Sequence, residues 1–178
     1  MLRRIKDLIT SDREERREGP LLNRLLFVEA HNAGMTGDDS IFLKVLKTPG
    51  YVPSPPTLNY ALTQMLYGCH MIQTSGILPV STLDAVIDRG AYVDTAYAPT
   101  RAGWGRLFGQ REDRANPDFL TPLWHAIDLA NHGRTEYLTR LLQEPVSVAT
   151  LEHFMADVRD PKITAKFMDL IERGKHKI

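Results

Sequence analysis

The chain has 178 residues, 43% of them hydrophobic and 25% charged, which is the composition of a folded globular protein rather than of a disordered one. Basic and acidic side chains number 22 each, so no overall electrostatic field attracts nucleic acid or an anionic membrane. A single cysteine, Cys69, excludes an intramolecular disulfide framework, and no apolar run is long enough to span a bilayer. We therefore expect a soluble protein of cytoplasmic type without a signal peptide.

The first 18 residues mix six basic and five acidic side chains, with apolar residues at helical spacing. This pattern predicts a short amphipathic helix with a solvated charged face. Gly19-Pro20 is predicted to end that helix, because proline removes a backbone donor. The expected domain organisation is a charged N-terminal helix over 1–18 and a single helical repeat domain over 19–178.

Residues 21–46 predict a first pair of helices. The first helix is expected to break at Gly34 and Gly37, and Asp38-Asp39-Ser40 offers an N-cap to the second. The prolines of segment 53–56 are expected to form a stiff extended connection that no helix crosses.

Three further helical pairs follow. The second pair is predicted to begin at Thr57, and its second helix to be capped by Ser81 and to end at Gly90. The third begins at Thr121-Pro122, where proline occupies a first-turn position that needs no amide donor. A fourth, weaker pair covers 149–174 and is expected to end at Gly174 like the second.

The apolar positions of these helices predict the core. The residues expected to be buried are Leu58, Ala61, Leu62, Leu83, Val86, Ile87, Leu123, Ala126, Leu138, Leu141 and Leu142.

Two segments resemble the ankyrin repeat family. Thr121-Pro122-Leu123 followed by Ala126 resembles the start of a repeat, and Leu83 to Asp94 resembles the end of one, with Gly90 at the left-handed position. The resemblance implies an all-α fold, an ankyrin-like α-solenoid of stacked antiparallel helical hairpins. It also implies a non-catalytic module that binds another protein on a concave face of loop tips and first helices.

The sequence departs from the family pattern. Leu58 and Leu123 are 65 residues apart, whereas the family period is about 33. Trp124 stands where the family has histidine, with His125 one place later, and Tyr137 stands where a small aliphatic residue is common. A different α-hairpin solenoid or an irregular helical domain stays open as an alternative fold.

The stretch from 95 to 120 is longer than a hairpin loop, and loops longer than about 12 to 15 residues are usually functional or disordered. It holds Trp104 and Phe108 among the arginines Arg101, Arg106 and Arg111. Tryptophan and arginine are enriched at binding hot spots, so these residues are candidates for contact with a partner. The alternative is that the two aromatic rings form a local satellite core with solvated arginines.

Patterns typical of catalysis or ligand binding are weak. The glycines of 103–109 do not match a dinucleotide or phosphate loop. Cys69 and His70 are adjacent and therefore point about 100° apart on a helix, which does not make a nucleophile and base pair. The histidines lack the spacing of metal ligands. We therefore expect no catalysis, no cofactor and no metal.

Two classes of function remain at this stage. The first is a protein-binding module that regulates or inhibits its partner through the insert and a concave face around Asn59, Trp124 and His125. The second is a protein or enzyme that binds a nucleotide or single-stranded nucleic acid through the basic aromatic insert. The balanced charge favours the first class, in which self-association is also compatible with the sequence.

Overall fold

The computed structural model describes residues 2–71, 77–93 and 121–175, with side chains from residue 19 onward in those ranges. In these ranges the chain forms helices and no strands, so the predicted all-helical class is confirmed there. The helices are α1 (Leu2–Thr36), α2 (Ser40–Leu46), α3 (Pro55–Met71), α4 (Val80–Ile87), α5 (Pro122–Asn131), α6 (Glu136–Leu141), α7 (Val148–Phe154) and α8 (Pro161–Lys175), with a 3₁₀ turn at Met155–Asp157.

Helices α1 and α3 lie side by side and run parallel. The ring of Phe27 meets that of Tyr60 edge to face at 4.7 Å, and further along both helices Gly34 lies against Gly68. A β-carbon built on Gly68 would lie 3.1 Å from the Gly34 Cα and would overlap the His31 carbonyl oxygen. The two helices therefore touch backbone to backbone, which only glycine permits here.

The second helices of successive pairs are also linked to one another. Thr82, in the first turn of α4, donates its hydroxyl to the carboxylate of Asp39, which precedes α2. Asp84 of α4 accepts from Arg140 Nε of α6 at 2.5 Å. Helices α4 and α6 are in contact, as are α3 and α5. First helices therefore pack on first helices, and second helices are bridged to second helices.

Helix α5 also runs parallel to α3, because Tyr67 meets His125 and, three residues further along both helices, His70 meets Asp128. Both contacts join residues 58 positions apart, seven fewer than the 65 that separate Leu58 from Leu123. Seven residues are about two helical turns. Helix α5 is therefore displaced towards the C-terminal end of α3, relative to a stack in which Leu58 and Leu123 lie side by side.

The last pair is attached through Asn131 at the end of α5. Its side-chain nitrogen donates to the Asp157 carbonyl and its oxygen accepts from the Arg159 amide, both at 2.8 Å. Helices α7 and α8 pack on each other. Asp160 accepts from the Lys162 amide at 2.7 Å and so caps α8 directly before Pro161.

Several predicted helix boundaries are wrong. Helix α1 continues through Gly19-Pro20 and through Gly34, and it ends at Thr36 before Gly37, whose φ is 77°. Pro20 is exposed, so water can satisfy the carbonyl that loses its partner. Gly34 stays helical because its missing side chain allows the contact with α3.

Three smaller corrections concern two prolines, a serine and a glycine. Pro55 and Pro56 lie in the first turn of α3, where no amide donor is needed, rather than in an extended connection. Helix α4 begins at Val80, so Ser81 is not its cap. Gly174 lies inside α8 and allows a close approach of Val148 from α7, instead of ending the helix.

The predicted core is confirmed, because every residue expected to be buried has 8% or less of its surface exposed. Gly90 has a φ of 99°, and the Ala91 amide donates to the Val86 carbonyl at 3.3 Å, so the predicted end of the second pair is also confirmed. Thr121 accepts the Trp124 amide at 3.3 Å, with Pro122 in the first turn as predicted.

Candidate binding surface

The N-terminal part of α5 is fixed by its cap and by Leu123, which is fully buried. With Leu123 turned inward, Trp124 comes to lie at the edge of the core and is partly exposed, whereas His125 is 1% exposed. The indole ring meets the His125 imidazole edge to face at 5.0 Å. The local sequence therefore sets one ring at the surface and one beneath it.

These two rings belong to a continuous row across α1, α3 and α5, which we call the aromatic band. His31 of α1 lies 5.5 Å from Tyr67 of α3, and Tyr67 lies 5.5 Å from His125, measured between ring centroids. His70 lies 6.4 Å from both Trp124 and His125. The aromatic band consists of the rings of His31, Tyr67, His70, Trp124 and His125, together with the Asp128 carboxylate that contacts His70.

Asp128 stands at one end of the aromatic band, one turn after Trp124. Its Oδ2 lies 2.5 Å from His70 Nδ1, a close electrostatic contact that lacks the alignment of a hydrogen bond, and 3.8 Å from His132 Nδ1. His132 Nδ1 also lies 2.8 Å from the Asp128 carbonyl oxygen. The Asp128 side chain is 24% exposed and the His70 side chain is 33% exposed, whereas Asp128 Oδ2 itself is buried and accepts no hydrogen bond from the described residues.

A small depression adjoins this end of the aromatic band. It has a volume of about 200 Å³ and is lined by Cys69, His70, Leu129, His132 and Arg134. Burial raises the pKa of the Cys69 thiol, which keeps it protonated and a poor nucleophile.

Arg134, which lines this depression, is fixed by hydrogen bonds to other parts of the chain. Its Nη1 donates to the Cys69 carbonyl at 3.1 Å and its Nη2 donates to the Tyr137 hydroxyl at 2.7 Å. Its Nε lies 3.6 Å from Glu136. The Tyr137 hydroxyl in turn donates to the Leu78 carbonyl at 3.0 Å. These contacts tie the α5 and α6 pair to the ends of α3 and α4.

The predicted contact residues differ in how exposed they are and in whether the structure describes them. Asn59 is 9% exposed, and its Oδ1 accepts the Tyr92 amide at 2.7 Å, so it anchors the chain after α4. His125 is buried within the aromatic band, and Trp124 is partly exposed. The insert candidates Arg101, Trp104, Arg106, Phe108 and Arg111 lie outside the described residues.

Sequence reasoning misses the other members of the aromatic band. His70 stands out in the sequence only beside its neighbour Cys69, and no linear spacing links His31, Tyr67 and Asp128, because they come from three separate helices. The one local signal is the spacing of four between Trp124 and Asp128, which places both side chains on one face of a helix.

Metal-binding and membrane-spanning features are absent within the described ranges. No group of three or more histidine, cysteine or acidic side chains there has the geometry to hold a metal ion. None of the helices in the described part of the chain combines the length and the apolar character needed to cross a membrane.

Comparisons with protein-family models, with curated proteins and with solved structures find no match for this chain.

Proposed function

We propose that the chain is a non-catalytic protein-binding module that regulates or inhibits a partner protein, and that the partner lies on the aromatic band. The observation that carries this proposal is the aromatic band itself, which crosses three first helices and is partly exposed. Its components include tryptophan and tyrosine, which are enriched at binding hot spots because they bury a large area at little conformational cost.

An exposed apolar side chain extends this surface. Met71 is four residues after Tyr67 on α3, which places both on one helix face, and it is 56% exposed. Methionine is also enriched at interfaces, where its flexible thioether adapts to the shape of the partner. Trp124, Tyr67 and Met71 together offer the apolar centre that a specific interface needs, with the polar groups of His70 and Asp128 beside it.

The arrangement of the helices supports an ankyrin-like solenoid as the fold behind this function. Contacts between α1 and α3 join residues 33 and 34 positions apart, close to the ankyrin period of about 33. Parallel first helices are typical of stacked helical hairpins, whose first-helix layer forms an extended binding surface. The displacement of α5 departs from a regular stack, and we attribute it to the insert that precedes this helix.

We further propose that the insert contributes to the same interface. Its flanking residues are anchored in the core, with Val93 1% exposed and Thr121 7% exposed. Thr121 is three residues before Trp124, so the insert re-enters the fold beside the aromatic band. Trp104, Arg106 and Phe108, with Arg101 and Arg111, would then contact the partner next to Trp124. The balanced charge and single cysteine support a cytoplasmic location for this binding.

The experiment is capture of partners from a lysate of the source cells, with cross-linking and mass spectrometry, using the wild-type protein and two variants. Trp124→Ala and Met71→Ala should each reduce capture of the same partner, Trp124→Ala by about thirtyfold in affinity, or about 2 kcal/mol. Met168→Ala is the matched control, because Met168 is 53% exposed on α8, away from the aromatic band.

Circular dichroism should show that the variants stay folded. A variant without residues 99–114 tests the insert separately. Partners captured equally by wild type, Trp124→Ala and Met71→Ala would contradict the assignment of the interface to the aromatic band.

A further inference from the structure

We propose that the aromatic band takes a basic segment of its partner, with an arginine or lysine side chain lying across Trp124 and its cationic group at the Asp128 carboxylate. The inference rests on the proposed function and adds the chemical class of the partner.

The charge of Asp128 favours a basic occupant. Within the described residues the only basic groups within 4.0 Å of this carboxylate are the imidazoles of His70 and His132. The Asp128 side chain is 24% exposed, and no lysine or arginine of the described residues lies within 4.0 Å of its carboxylate, so a cation from outside can pair with it.

The position of the Trp124 ring favours the same occupant. Trp124 and Asp128 are four residues apart on α5, so their side chains are neighbours on one helix face. A basic side chain can pack its apolar stem or its guanidinium plane on an aromatic ring while its charged end reaches a carboxylate. Arginine fits this pair better than lysine, because its planar guanidinium can stack on the indole while it donates to the carboxylate.

An acidic segment fits this surface less well. The depression that adjoins this end of the aromatic band is lined by one arginine among the described residues, Arg134. Its guanidinium already donates to the Cys69 carbonyl and the Tyr137 hydroxyl and lies near Glu136. An acidic group would have to displace these contacts and would also face Asp128, whereas a basic group meets neither obstacle.

The test begins with a displayed library of random twelve-residue peptides, selected at pH 7.5 on the wild-type protein and on Asp128→Asn. Asp169→Asn is the control, because Asp169 is 50% exposed on α8 and its substitution makes the same change in net charge. The expected result is enrichment of arginine and lysine on the wild type and the control, and loss of that enrichment on Asp128→Asn. Enrichment of acidic or uncharged peptides, or no enrichment at all, overturns the inference.

A fluorescence anisotropy titration of the best selected peptide then measures the effect. Asp128→Asn should weaken binding by about tenfold, and replacing the peptide's arginines by norleucine should do the same to the unaltered protein. Equal affinity for the arginine and norleucine peptides would overturn the inference even if Asp128→Asn failed to fold.

The two proposals can fail separately. If Trp124→Ala loses the captured partner while Asp128→Asn keeps it, the interface stands and its preference for a basic segment does not. If both variants keep the partner, the aromatic band is not the interface.

Discussion

The first helices meet at two contacts, which we call the first joint, between α1 and α3, and the second joint, between α3 and α5. The two joints are built from different kinds of residues. Between α1 and α3, Gly34 and Gly68 bring the backbones into contact, and Ala30 and Ala33 are buried nearby. Between α3 and α5, rings and titratable groups fill the contact, and His70 and Asp128 remain partly exposed. The first joint depends on shape and tolerates no added atom. The second leaves polar and aromatic groups partly exposed at the surface.

The largest expected effect on stability is at the first joint. In Gly34→Ala the new β-carbon would overlap the Met65 carbonyl oxygen and lie 2.9 Å from the Cys69 amide nitrogen, both backbone atoms that cannot rotate away. We expect a loss of about 3 kcal/mol in the free energy of unfolding, measured by urea denaturation. Gly19→Ala is the control, since a β-carbon added there would have no neighbouring atom within 4 Å. Equal midpoints for the two variants would show that α1 and α3 are not in backbone contact.

The next largest effect on stability is expected at a polar bridge near the second joint, formed by the Tyr137 hydroxyl with Arg134 and the Leu78 carbonyl. Tyr137→Phe removes the hydroxyl that binds Arg134 and the Leu78 carbonyl, and Tyr137 is fully buried. Because these two groups lose a hydrogen-bond partner, the free energy of unfolding should fall by about 2 kcal/mol, measured by thermal or urea denaturation. Tyr51→Phe is a useful comparison, because its hydroxyl binds only Asn23 among the described contacts and is less buried. A smaller loss for Tyr137→Phe than for Tyr51→Phe would contradict the role of this bridge.

A smaller effect is expected at Gly90, where the backbone conformation matters rather than the space. Its φ of 99° is strained for any residue with a β-carbon, although nothing lies within 4 Å of the position that a β-carbon would take. Gly90→Ala should therefore destabilise the fold by about 1 kcal/mol. Compared with Gly34→Ala, this variant separates backbone strain from steric overlap. A free energy of unfolding equal to that of the wild type would argue against the left-handed turn.

The smallest effect on stability is expected at the exposed part of the second joint. His70→Asn removes the imidazole beside Asp128, but partly exposed ion pairs contribute little to stability. The melting temperature should hardly change at pH 7.5, while partner capture through the aromatic band should decrease. A large loss of stability would mean that this contact holds α5 in place and is not kept for binding.

The contrast between the joints also explains which parts of the fold could be predicted. Helix ends with their own local chemistry are predictable, because Thr121-Pro122 and Gly90 act on the residues next to them. The prediction of a helix break at Gly34 is wrong, since the role of this glycine depends on Gly68, which is 34 residues away. The aromatic band escapes prediction for the same reason, with members from three helices.

The sequence by itself determined that the described part of the chain is helical, that eleven apolar residues lie in its core, that the second helical pair ends at Gly90 and that the third begins at Thr121. Apolar periodicity, helix caps and turn glycines depend only on residues that are close together in the sequence, so they can be recognised without the tertiary structure. Only the tertiary structure decided that α1 runs through Pro20 and Gly34, and that α5 is displaced by about two turns along α3. It also decided that Trp124 and Asp128 face the surface beside His70, because contacts between helices depend on how complete side-chain surfaces fit together.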